Sequence, residues 1–112
     1  MEYDTERFDK YTVKGQDFYV DKLNAVEGLK IAFKVIAKLR QSSAESINDL
    51  LDKADEPEVE ALIKMAYDRT FVEDKSLADP QWFEKYFNAH KNLLLIVGIT
   101  SLAVLVNPFL AD

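Results

Sequence analysis

The chain has 112 residues, 48% of them hydrophobic and 30% charged, with a formal net charge of −6 and no cysteine. This composition suits one globular domain that buries a single core without cross-links or metal. It excludes a disulfide framework and a Cys-ligated zinc or iron–sulfur centre. The lysines and arginines are scattered, so the positive footprint that phosphate neutralisation needs is missing, and no nucleic-acid partner is expected.

The first seven residues are acidic and polar, unlike a signal or transit peptide. From Lys10 to Asp21 apolar and polar residues alternate, as in a β-hairpin. A Gly15-Gln16 loop with glycine first suits a type II′ turn. That register pairs Lys14 with Asp17, Val13 with Phe18, Thr12 with Tyr19 and Tyr11 with Val20, which places both apolar pairs on one face.

Asn24 and Glu27 form a capping-box pattern that opens a helix over about 25–40. Val26, Leu29, Phe33, Ile36 and Ala37, with Ala32 beside them, give its expected core face. Lys30, Lys34 and Lys38 give its solvated face. Ser42 and Glu45 make a second capping box before an apolar face of Ala44, Ile47, Leu50, Leu51 and Ala54. Pro57 restarts the helix, with Val59, Leu62, Ile63, Ala66 and Tyr67 inward. Thr70-Phe71-Val72 is a candidate short extended piece. Asp79-Pro80 opens a helix with a dense aromatic face of Trp82, Phe83, Tyr86 and Phe87. Asn88 is expected to cap a last helix that runs to about Val106 and is stopped by Pro108. The expected fold is α+β and mostly α: one domain over 1–112, with a hairpin at about 10–21 packed on a bundle of four to five helices over about 25–106.

Catalytic chemistry has few places to reside. His90 is the sole histidine, and no Gly-x-Ser-x-Gly elbow accompanies it. Gly15, Gly28 and Gly98 are too far apart in sequence to cradle a phosphate or dinucleotide. Asp49, Asp52, Asp55, Glu56, Glu58 and Glu60 cluster around Pro57, but lack the order of a calcium loop and suit helix starts. The expectation is a non-enzyme with no catalytic, cofactor-binding or metal-ligating set.

The segment 93–106 is apolar apart from Gly98, Thr100 and Ser101. It is shorter than the roughly 20 residues of a membrane span, so a buried or partner-facing helix is favoured and a tail anchor is the alternative. A helix apolar on all sides lies at the core centre or is covered by a partner. The residues expected to bind a partner are Trp82, Phe83, Leu95, Leu102, Leu105 and Phe109, with self-association expected as well.

The segment 11–25, TVKGQDFYVDKLNA preceded by Tyr11, resembles the opening of tail assembly chaperones of long-tailed bacteriophages: strand, glycine turn, strand, then leucine into an amphipathic helix. Val106-Asn107-Pro108-Phe109-Leu110 is similar to their close, an apolar helix ended by asparagine and aromatics. The resemblance implies a protein that coats the long, helical, aggregation-prone tape-measure protein until tail-tube subunits replace it. It further implies a place in the host cytoplasm and absence from the mature virion. A small adaptor or connector subunit of a phage particle is the alternative, and a tail-anchored membrane regulator is a second.

Overall fold

Lys14 and Gly15 both adopt positive φ, 48° and 80°, and form the first turn. Two consecutive left-handed residues define a type I′ loop, whose twist matches that of the strands it joins. It connects β1 (Phe8–Val13) to β2 (Gln16–Asp21). The turn thus sits at Lys14-Gly15 rather than at Gly15-Gln16, and Tyr11 faces Phe18 while Thr12 faces Asp17. Phe18 changes partner from Val13 to Tyr11, a displacement of two residues that leaves every side chain on its expected face. The new register is tied by a Thr12 Oγ1 bond to Asp17 Oδ1 at 2.6 Å and by an ion pair of Lys10 with Asp17 at 3.7 Å.

The computed structural model describes residues 3–42 and 57–110. The second capping box and the apolar face over 44–54 therefore fall wholly or partly outside the described residues. After the hairpin come α1 (Ala25–Ser42), α2 (Pro57–Asp68), β3 (Thr70–Val72), β4 (Lys75–Ser76), α3 (Pro80–Ala89), a 3-10 turn (Lys91–Leu93) and α4 (Leu94–Leu110). The class is α+β, with four helices and a four-stranded antiparallel sheet among the described residues. The hairpin is one half of that sheet. Strand order is β1-β2-β3-β4, with β3 beside β2 through Phe18–Val72, Tyr19–Phe71 and Val20–Thr70.

The helix ends show local chemistry at work. Asn24 Oδ1 accepts from the Glu27 N–H at 2.8 Å and Glu27 Oε1 accepts from the Asn24 N–H at 3.4 Å, so the capping box forms. Asp79 Oδ1 accepts from the Gln81 N–H at 3.0 Å, with Pro80 in the first helical turn. Asn88 lies within α3, which continues to Ala89 because Tyr86 and Phe87 remain in the core. The last helix begins after the 3-10 turn and passes through Pro108, against expectation. A proline this close to the described end of the helix removes only a final-turn hydrogen bond, so it does not break the element.

α4 is the central element. Val97, Leu102, Leu105 and Val106 are buried on it, and the sheet contributes Phe18, Val20 and Val72 to the same core. Gly98 lets α2 come close: a Cβ there would stand 2.7 Å from Ile63 Cγ2 and 2.8 Å from the Tyr67 ring. Ser101 is fully buried at the centre of a chain of hydroxyls. Tyr11 Oη donates to the Val97 carbonyl at 3.1 Å and lies 2.7 Å from Ser101 Oγ, while Thr70 Oγ1 lies 2.9 Å from Ser101 Oγ and 2.7 Å from the Ala66 carbonyl. Each hydroxyl of this chain so finds a partner, and α4 is locked in register against β1, β3 and α2. The opposite sheet face carries a smaller aromatic cluster, with Tyr3 stacked on Tyr19 at 3.9 Å and Phe8 edge-on to Phe71 at 5.7 Å.

α1 departs most from its expected packing. Among the α1 residues whose burial is described, Gly28 and Ala32 are buried and Ile31 is partly buried against the core. Gly28 lies under the Phe109 ring, where any side chain would collide. The two helices meet where Gly28 takes the Phe109 ring, and Val26, Leu29 and Phe33 of the stripe expected in the core turn outward. Val26, Leu29 and Phe33 are 65, 56 and 64% exposed.

Candidate functional site: an apolar groove between α2, α3 and α4

A groove of about 590 Å³ opens between α2, the β4–α3 connection and the start of α4. α2 supplies Ile63 and Tyr67 at i and i+4, one helical face. Leu77 and Phe83 close the side formed by the connection and α3, and Leu94 and Leu95 form the lip on α4. The 3-10 turn separates α3 from α4, and Gly98 brings the second turn of α4 against Ile63 and Tyr67 of α2. Tyr67 marks that closure point: its hydroxyl donates to the Leu94 carbonyl, and its ring meets Phe83 edge-on at 5.0 Å. Burial pushes the Tyr67 phenol up to about 12, so it stays a neutral donor at physiological pH.

Charge is confined to the rim. Glu60, Lys64 and Asp68 lie along the exposed edge of α2, with Lys64 held to Asp68 at 3.3 Å. Leu95, 58% exposed, and Ile96 beside it present apolar surface next to the opening. Two polar walls would favour a small polar ligand; one charged edge and an apolar floor suit the apolar side of a peptide helix.

The six residues expected to bind a partner separate into distinct places. Phe83 and Leu95 meet in the groove. Trp82 is half-buried beside it, tilted on Tyr86 at 5.6 Å with Lys75 Nζ 4.7 Å above its ring. Leu102 and Leu105 are core residues, so as placed they have no surface to offer a partner. Phe109 lies at the far end of α4 against Gly28, with part of its ring exposed. The helical period of 93–106 could not separate these, because apolar residues occur on every side of the helix and only its neighbours decide which side is covered. Ile63 and Tyr67 were read as core and are core, yet their outer edges also line the groove.

His90 caps α3 with its ring 4.5 Å from Tyr86. Among the described residues no three His, Asp or Glu side chains gather as a metal site. Most of the acidic run near Pro57 lies outside the described residues, and Glu60 stands on the groove rim.

No family model, curated protein or solved structure matches this chain.

Proposed function

We propose that this chain is a helix-binding assembly chaperone, of the kind that the tail assembly chaperones of long-tailed bacteriophages exemplify, with the tape-measure protein as its client. The observation that carries the reading is the open apolar groove with Leu95 at its lip. Its floor takes side chains spaced i, i+3 and i+4 on an amphipathic helix, and the charged edge of α2 stays in water. An excess of negative charge on the remaining surface keeps the loaded complex soluble.

The test is co-expression with the tape-measure protein encoded alongside it. The client should become soluble and co-elute with the wild-type chain. Leu95→Asp should abolish co-elution while leaving the chain folded. An insoluble client beside an unbound, soluble chain would remove this reading.

One observation favours a membrane role. The segment Lys91–Phe109 spans 19 residues with a mean hydropathy of 1.9, enough by length and composition to cross a bilayer. Against it stands the place of that segment in the fold, where Gly98 and Ser101 are the contact points for α2 and the sheet. Insertion would strip those hydroxyls of their partners. Flotation of the purified chain with lipid vesicles would favour the membrane role over the groove.

A further inference from the structure

Two apolar surfaces lie at opposite ends of α4. The groove is at its start, with Leu94 and Leu95, while α1 crosses its far end, where Phe109 covers Gly28. From residue 95 to residue 109 a helix rises about 21 Å. A chain therefore cannot bring its own α1 stripe into its own groove.

The two surfaces complement each other. The stripe of Val26, Leu29 and Phe33 has i, i+3, i+7 spacing, which is the pattern a groove of this kind accepts. Lys30 and Lys34 flank the stripe, are exposed and make no ion pair among the described residues. The groove edge carries Glu60, which has no ion-pair partner among the described residues, and the carboxylate of Asp68 beside Lys64. Apolar stripe matches apolar floor, and exposed lysines match the glutamate on the groove edge.

We infer that the α1 stripe of one copy docks in the groove of a second copy, Phe33 entering beside Leu95. The contact is heterologous, since each copy offers the stripe at one end and the groove at the other. Repeated, it builds a ring or an open filament rather than a closed twofold dimer. This goes beyond the client-binding reading and is tested on the purified chain alone, so it can fail while the client reading stands, and the reverse.

The experiment is sedimentation velocity over a concentration series, with circular dichroism to check folding. The wild-type chain should associate progressively past the dimer. Phe33→Asp and Leu95→Asp, both at exposed positions, should each weaken self-association at least about tenfold, as a charge placed in an interface centre does. Mixing the two variants should restore a species that stops at one-to-one, because one supplies an intact groove and the other an intact stripe. Leu29→Asp should behave as Phe33→Asp does. A wild-type chain that stays monomeric at the highest concentration reached would overturn the inference. So would a mixture with no dimer, or a Leu95→Asp variant that self-associates as the wild type does.

Discussion

Gly98 and Ser101, with Thr100, interrupt an otherwise apolar run, and the first two are each explained by two neighbours. Gly98 is where α2 touches α4 through Ile63 and Tyr67. Gly98→Ala gains about 1 kcal/mol of helix propensity. It also forces a methyl group into that contact, and overpacking of this kind costs about 1–3 kcal/mol. The expected net result is a lower denaturation midpoint with an unchanged slope in urea. Ser101 serves the opposite need, since it satisfies Tyr11 and Thr70 inside the core. Tyr67 makes a prediction about pH. Its folded pKa is raised by burial to about 12 from the ordinary 10. Above pH 10 the unfolded chain releases this proton first, so the native state loses stability as pH rises from 10 towards 12, and the contribution is complete below 10. Urea midpoints measured from neutral pH to pH 11.5 should fall less steeply in Tyr67→Phe than in the wild type, about the ordinary phenol value. Equal slopes would show that the Tyr67 proton is not held by the fold.

At the scale of elements, a sequence signal survives into the structure where the chemistry behind it is local. The capping box at Asn24–Glu27 and the Asp79-Pro80 start both formed, because each needs only residues within one turn. The hairpin was recognised, but its turn was displaced, since Lys14 takes a positive φ that its type does not advertise. The second hairpin, β3–β4, turns through Glu73 and Asp74 at φ 52° and 63°, this time without glycine or asparagine. Asp74 is a weaker signal for such a turn than glycine or asparagine, so only the strand at Thr70–Val72 is legible in the sequence. Those dihedrals favour asparagine or glycine over glutamate. Glu73→Asn should therefore stabilise the protein by about 0.5–1 kcal/mol, read as a raised thermal midpoint. A lower midpoint would mean that Glu73 makes a favourable contact that outweighs its backbone strain.

Across the whole molecule, the question is which side of each apolar helix is covered. α4 is apolar throughout, yet Leu102 is fully buried while Leu95 is mostly exposed. Leu102→Ala should cost about 2–5 kcal/mol through the cavity it leaves. Leu95→Ala should change the stability of the isolated chain by less than about 0.5 kcal/mol. Chemical denaturation of both variants checks this division of α4 into a core side and a groove side. Similar losses at the two positions would mean that the lip of the groove belongs to the core. α1 carries the same lesson with the sign reversed. Val26, Leu29 and Phe33 face out, while Gly28 lies under Phe109 where no larger residue would fit and Ala32 is buried one turn on.

The amino-acid sequence by itself determined the class of fold, the starts of α1, α2 and α3, the inward face of α2 and the aromatic face of α3. Each follows from periodicity and from caps that act over a few residues. Only the tertiary structure decided the joining of the hairpin to β3 and β4, the outward turn of the α1 stripe and the groove at the start of α4. Those depend on how closely two elements approach, and approach distance is set by residues far apart in the chain, such as Gly28 with Phe109 and Gly98 with Tyr67.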